Sequence, residues 1–267
     1  MQEWTVDEPQ VIDIPAEVRS LAVRLVAGHV DVVTTDGPGA RVEVTEVDGE
    51  PLTVSIDDDG RLVIRQARLT WGGILGWLKS ERRRAVVSVA VPAECDTSIG
   101  VVSADAVVAG VHGKIDVRCV SGAIVLDDVT GQVTAESVSG DVEARRLAGS
   151  IGLKSVSGGL TVVDGEPASV RVDSVSGDVA LDLHSSADVD ITINTVSGDL
   201  TVRVPDRAGL TVDLVSTSGD IACAFDGLAD ERKPGSRRLR GVVGDASGHL
   251  RGRTVSGSVA VLARQSA

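Results

Sequence analysis

Aromatic residues are nearly absent from this chain of 267 residues, which has no tyrosine, one phenylalanine (Phe225) and three tryptophans. Sugar-binding grooves usually need aromatic platforms and clustered carboxylates. The composition therefore argues against a carbohydrate-active enzyme of the parallel β-helix class, which is kept as the enzymatic alternative because its fold also consists of repeated strands. The hydrophobic core must be aliphatic.

Cysteines and basic residues are also scarce. The three cysteines, Cys95, Cys119 and Cys223, are too few and too widely spaced for a disulfide framework or a zinc site. Acidic residues outnumber basic ones by 39 to 26, a net charge of −13, and this excess disfavours binding to nucleic acid. It leaves open a second alternative, an acidic mimic of DNA that binds a nucleic-acid enzyme.

Long apolar runs are missing as well. No segment approaches the roughly 18 consecutive apolar residues that a membrane-spanning helix needs. The first eight residues, MQEWTVDE, contain neither the basic region nor the apolar region of a signal peptide. These features predict a cytoplasmic protein.

The chain does contain a repeat. SVSGDV occurs at 137–142 and 174–179, with close variants at 155–160, 195–200, 216–221 and 254–259. A weaker punctuation falls midway between the copies, so each half-repeat reads Gly-x-Φ-x-Φ-x-x-Φ-x, where Φ is apolar. In the copy that begins at Gly149 the apolar positions are Ile151, Leu153 and Val156. Alternation with a period of two predicts strands rather than helices.

Strands this short bury their apolar faces by stacking on neighbouring copies, so the apolar positions should form one buried aliphatic stripe. We predict an all-β fold, a parallel β-solenoid with two-sided coils of 18–21 residues and a β-rich N-terminal cap region; a meander of antiparallel hairpins is the competing arrangement. In the solenoid, Glu136, Lys154 and Asp173 become stacked neighbours of alternating charge, which argues against DNA mimicry. The motif serines, from Ser103 to Ser197 and then Ser218, should form a ladder of hydroxyl groups.

The repeat does not cover the whole chain evenly. Residues 1–92 form an irregular β-rich region with a tryptophan-containing insertion at 69–84, and residues 93–267 form the solenoid with an insertion at about 226–244. Because the strand pattern continues across residue 92, we expect one continuous structural unit.

The SVSGDV punctuation, the WTVDEP start and the closing TVSGSVAVL resemble the bacterial "putative adhesin" family of unknown function, also called the toast-rack family. The resemblance covers most of the chain. It implies a β-strand solenoid and, by association with some relatives, a role near envelope-stress systems. It supplies no catalytic motif.

No residue set in the sequence predicts catalysis, a cofactor or a metal. Asp141, Asp178, Asp199 and Asp220 follow turn glycines, but a calcium β-roll requires Gly-Gly-x-Gly-x-Asp in consecutive turns, which this chain lacks. We expect these carboxylates to accept hydrogen bonds from backbone groups of their own turns. The four histidines have no triad or ligand spacing.

Two segments depart from the repeat and are the candidate interaction surface. The first, Leu69–Arg84, combines two tryptophans with an arginine run; we favour a lid over the end of the solenoid, with a partner-binding or membrane-surface element as the alternative. The second lies between Asp226 and Arg253, where seven basic residues outnumber four acidic ones and could dock an acidic partner. The candidate residues are Trp71, Ile74, Trp77, Leu78, Arg82, Arg83, Arg84, Arg237, Arg238 and Arg240.

These observations favour a non-enzymatic interaction or scaffold module. It needs no cofactor, and its expected partner is a protein rather than nucleic acid. The sequence leaves peripheral membrane contact and oligomeric state open.

Overall fold

The computed structural model describes residues 1–66, 83–184, 189–206 and 209–264, which form β-strands joined by short turns. Among these residues there is no helix with the length and hydropathy needed to cross a membrane. The strands of the first half are β1 (Gln2–Val6), β2 (Gln10–Ile14), β3 (Ser20–Thr35), β4 (Ala40–Asp48), β5 (Leu52–Ile56), β6 (Arg61–Gln66), β7 (Arg84–Pro92), β8 (Asp96–Ala109), β9 (Ile115–Ser121), β10 (Ile124–Asp127), β11 (Thr130–Ser137) and β12 (Val142–Arg145). Those of the second half are β13 (Ala148–Ser155), β14 (Leu160–Ser174), β15 (Val179–Leu183), β16 (Asp190–Asn194), β17 (Leu200–Pro205), β18 (Leu210–Ser216), β19 (Ile221–Cys223), β20 (Ala229–Lys233), β21 (Ser236–Val243), β22 (Gly248–Thr254) and β23 (Val259–Arg264).

The chain divides into two compact units, Met1–Gly122 and Ala123–Ala267. In the first unit the long strands β3 and β8 pair in parallel from Ser20↔Asp96 to Val32↔Val108. Each of these strands is therefore one complete coil, and one coil stacks on the other. The boundary near residue 92 and the continuity of the two regions remain predictions.

Antiparallel strands complete the other side of β3 in the first unit. One row runs outward through β6, β5 and β1, and the other through β7, β4 and β2. Strands β6 and β7 still pair in parallel with β3, and the direction alternates beyond them. The N-terminal region is thus the β-rich cap that its sequence predicts.

The second unit consists of parallel coils in two rows of strands. One row contains β11, β13, the second part of β14 and β16; the other contains β10, β12, the first part of β14, β15 and β17. Glu136, Lys154 and Asp173 lie side by side in the first row, as the repeat register predicts. Parallel pairing confirms the solenoid and excludes the antiparallel meander for these coils.

The order of the coils departs from the sequence near the C-terminus. Strand β22 lies between β16 and β18, and β23 lies between β17 and β19, all in parallel. The last repeat of the sequence is therefore the next-to-last coil in space. This corrects the predicted serine ladder, because the coil of Ser256 separates Ser197 from Ser218: the Ser256 N–H donates to Val196, and the Ser218 N–H donates to Val255.

The insertion in this unit is a hairpin of β20 and β21. Strand β21 pairs antiparallel with β18 along its full length, and β20 pairs with β21. The outermost strand β20 is charged and exposed, and β19 has three residues. Short or charged edge strands protect a sheet against unwanted pairing.

Aliphatic side chains fill the core of each unit. Ile99, Ile115 and Leu62 are fully buried in the first unit, as are Leu126 and Ile191 in the second. No aromatic side chain is among the buried core residues of the described chain. The aliphatic core expected from the composition is present.

Turn glycines allow the coils to approach closely. A Cβ atom on Gly198 would overlap the carbonyl oxygen of Gly177, and a Cβ on Gly257 would overlap that of Gly198. The same holds for Gly219 against Gly257. The repeat therefore needs glycine because the backbone of one turn lies directly against the next.

Candidate interaction surface

The first predicted segment is described only at its end. Trp71, Ile74, Trp77, Leu78 and Arg82 lie outside the described residues. Arg83 forms an ion pair with Glu50 at 3.2 Å, and Arg84 forms one with Glu46 at 3.4 Å. These two arginines thus contact carboxylates of the cap region. The role of the segment as a lid or a recognition element stays a prediction.

The arginines of the second segment are paired within their own unit. Arg238 donates two hydrogen bonds of 2.8 Å to the carboxylate of Asp213 on β18. Arg240 pairs with Glu231 at 2.9 Å, and Arg237 lies 3.0 Å from Asp230. The hydrogen bond from Arg237 lowers the pKa of the Asp230 carboxyl group. Arg238 thus joins the hairpin to β18, and the other two pairs join β21 to β20.

Each unit has a groove among its described residues. One, of about 510 Å³, lies beside the hairpin and is lined by Asp213, Arg238, Arg240 and Val242 among others. The other, of about 390 Å³, lies beside the turn Asp57–Gly60 and includes Met1 and Arg19. Charged side chains in both grooves are already engaged: Arg238 binds Asp213, and the Met1 ammonium group lies 2.9 Å from Asp58.

The aspartates after the turn glycines bind backbone amides of a neighbouring coil. The carboxylate of Asp141 accepts the N–H of Gly159 at 2.8 Å, that of Asp178 accepts the N–H of Asp199 at 2.9 Å, and that of Asp199 accepts the N–H of Ser258 at 2.7 Å. The expectation that they bind donors of their own turns was wrong, because each carboxylate extends along the stack instead of back into its turn. No group of three or more candidate metal ligands occurs in the described part of the chain.

The structure reveals a surface that the sequence reasoning missed. The third apolar position of the half-repeat, expected to contribute to the buried stripe, is outside: Val156 is 51% exposed, and Val120 is 47% exposed. Seven of the twelve exposed large apolar residues in the described chain occupy this position. They are Val102, Val120, Val138, Val156, Val175, Val196 and Val255. We call the five in the second unit, Val138, Val156, Val175, Val196 and Val255, the valine stripe.

A hydroxyl residue stands on both sides of each valine of the stripe, with threonine in place of serine before Val196 and Val255. The hydroxyl oxygen of Ser155 accepts the N–H of Gly158 at 2.6 Å, which closes the turn. The hydroxyl of Ser157 donates to the carbonyl of Val138 in the adjacent coil at 3.1 Å. These serines bind mainly to backbone groups rather than to one another, and Val156 between them faces solvent.

Backbone hydrogen bonds hold the stripe in register along the stack. The carbonyl oxygens of Val138, Val156, Val175, Val196 and Val255 each accept the N–H of the motif serine in the next coil, at 2.8–2.9 Å. Adjacent strands of a sheet are about 4.8 Å apart, so the valines follow one another at that interval. The signal in the sequence was the extra residue in Φ-x-x-Φ, which breaks the alternation and turns the third position outward.

Comparison with known proteins agrees with this architecture. The family model described as Toastrack DUF4097 matches residues 18–262. No curated protein matches the chain.

Among solved structures, a putative lipid binding protein from Parabacteroides distasonis ATCC 8503 has 12% identity and a TM-score of 0.54, with 96% of this chain and 97% of that chain covered. A putative adhesin from the same organism has 12% identity and a TM-score of 0.47, covering 98% and 97%. At 12% identity, the similarity to the putative lipid binding protein concerns the fold alone. On the match over residues 18–262, the chain belongs to the toast-rack family DUF4097.

Proposed function

We propose that this protein is a non-enzymatic interaction module that binds a protein partner through the valine stripe. The observation that carries the proposal is the concentration of exposed apolar side chains at one repeated position of a turn that is hydrogen-bonded to the next coil. Single exposed valines are ordinary on protein surfaces, but a continuous apolar row marks an interaction site. The stacked backbone needs no ordering on binding, which reduces the entropic cost of association.

The test uses the chain with two changes on the stripe, Val156→Arg and Val196→Arg. Both side chains are about half exposed, so the melting temperature should change little. Captured proteins from a lysate of the producing organism should be lost. Leu262→Arg is the matched control, because Leu262 is 42% exposed and lies off the stripe. Unchanged capture by the stripe variant would contradict the proposal.

We also propose a cellular role and a location for the protein. Family resemblance supports a role near envelope-stress systems, and the sequence supports a cytoplasmic location. Deleting the gene and measuring an envelope-stress reporter tests the first, and cell fractionation tests the second. An unchanged reporter under cell-wall stress would contradict the stress role.

A further inference from the structure

We infer that the valine stripe binds the same stripe of a second copy of this chain, with the two stacks antiparallel about a two-fold axis. The inference rests on the proposed function and names the partner of that same surface. Two properties of the stripe support it, its period and the charges beside it.

The spacing between the valines of the stripe indicates what kind of partner fits it. Identical valines recur at about 4.8 Å, the spacing of hydrogen-bonded strands. A second β-strand stack has apolar groups at the same interval, so its side chains can lie opposite these valines coil by coil, as in a dry interface between paired sheets. A helix or an irregular surface matches such a row at one or two positions. A second copy matches it at four successive valines, Val138, Val156, Val175 and Val196.

The charged residues beside the valine stripe favour one orientation of the two copies, the antiparallel one. Two residues before each valine is a second row, held in register by strand pairing: Glu136, Lys154, Asp173, Asn194 and Arg253. In an antiparallel pair whose axis passes between the coils of Val156 and Val175, Lys154 faces Asp173 of the second copy, and the reverse contact forms by symmetry. Glu136 then faces Asn194 of the second copy. Among Glu136, Lys154, Asp173 and Asn194 no like charges meet, and Arg253 lies beyond the four matched coils.

The parallel arrangement brings like charges together. It would place this row opposite the turn aspartates of the second copy at the same height. Glu136 would face Asp141, and Asp173 would face Asp178. Juxtaposed like charges cost several kcal/mol at interfaces. Two-fold antiparallel packing also closes the assembly, because the same patch is used on both copies.

Lys154 is available for this contact. Its strand neighbours are Glu136 and Asp173, yet in the described part of the chain Lys154 forms no salt bridge. The Asp173 carboxylate accepts hydrogen bonds from Arg171 at 3.1 Å and from Asn194 at 2.9 Å. A carboxylate oxygen accepts more than one hydrogen bond, so an ammonium group from a second copy can join these partners.

The experiment is sedimentation equilibrium of the full chain over a wide concentration range. We expect a dimer that Val156→Arg with Val175→Arg converts to a monomer, while Leu262→Arg leaves it intact. Lys154→Asp should weaken dimerisation about tenfold or more by placing two carboxylates together. Adding Asp173→Lys to that variant should restore it, since the charges are exchanged. Failure of the double variant to regain affinity would overturn the orientation.

Disulfide trapping gives an independent reading of the orientation. In a Cys223→Ser background, a Val156→Cys variant mixed with a Val175→Cys variant should form a mixed disulfide dimer. Parallel packing would instead give disulfides within each variant alone. A wild-type chain that sediments as a monomer at all concentrations overturns this inference and leaves the proposed function standing. Unchanged lysate capture by the stripe variants overturns the proposed function.

Discussion

The exposed carboxylate of Asp220 accepts a hydrogen bond from the guanidinium group of Arg237 at 3.3 Å. The equivalent Asp199 binds the backbone N–H of Ser258 in the neighbouring coil at 2.7 Å. The difference follows from position, because Asp220 belongs to the outermost coil and has no further turn beside it. Arg237 of the hairpin therefore supplies the hydrogen-bond donor that a further turn would have supplied to Asp220.

This contrast gives a paired prediction. Asp199→Ala should lower the free energy of unfolding by about 1–2 kcal/mol, because a backbone N–H loses a charged acceptor. Asp220→Ala should change it by less, since a surface ion pair contributes about 0–1 kcal/mol. Urea denaturation of both variants measures the difference. An equal decrease in the free energy of unfolding for both variants would show that the hydrogen bond between coils contributes no more than the surface ion pair.

The turn glycines predict a steric effect. Gly198→Ala should destabilise the protein by about 3 kcal/mol, because the new Cβ would overlap the carbonyl oxygen of Gly177 and the stacked turns must separate. Gly37→Ala is the control, since a Cβ there meets nothing within 4 Å. Thermal unfolding compares the two. A Gly198→Ala variant as stable as the control would disprove close stacking at this turn.

Neighbouring residues of β16 test the strand register. Ile191 is fully buried, so Ile191→Asp should unfold or aggregate the protein. Thr192 lies between Arg171 and Arg251 on adjacent strands, so Thr192→Asp should be neutral or stabilise by about 0.5 kcal/mol. Circular dichroism and solubility measure both changes. Similar damage by the two substitutions would mean that the register is wrong.

The out-of-order coil predicts the effect of a truncation. Ending the chain at residue 244 removes β22 and β23, which lie between two other coils. Strands β18 and β19 lose their parallel partners, so the amide protons of β16 and β18 that bond to β22 should lose protection in hydrogen exchange, while those of β18 that bond to β21 should keep it. Retained protection of the β18 amides on the side of β22 would show that β18 can pair directly with β16.

A pH prediction concerns Asp182. The hydrogen bond from Arg203 lowers the pKa of this carboxyl group, with further support from the charge of Arg264. A lowered pKa in the folded state gives stability that is present above the unfolded value of about 3.9 and is lost as the pH falls through the folded value. Asp182→Asn should therefore reduce stability at neutral pH and flatten its acid decline below about pH 4. An acid decline as steep as that of the wild type would contradict this assignment.

The repeat allowed the solenoid to be predicted because its spacing and alternation are local properties of the sequence. Stacking in sequence order was a reasonable extension, but the position of β22 depends on which distant strand it meets. One midway turn shows the same limit: Gly149 pairs with Pro167 and Ser150 with Ser169, so Ala168 forms a bulge that the repeat pattern alone does not predict.

The interaction surface was harder to predict for a different reason. Trp77 and the arginines stand out by composition, whereas Val156 and Val175 look like core residues. Their exposure follows from turn geometry, in which the hydroxyl oxygen of the preceding serine, Ser155 or Ser174, is buried and the valine that follows it is exposed. Apolar character alone does not distinguish these two environments.

The position of β22 and β23 also has a consequence for synthesis. The coils from β10 to β17 can stack in the order in which the ribosome produces them. The outermost coil and its hairpin emerge next, before the strands that belong beneath them have been made. The outermost coil can therefore reach its place only after the final two strands have been made, so this unit is completed only after translation of almost the whole chain.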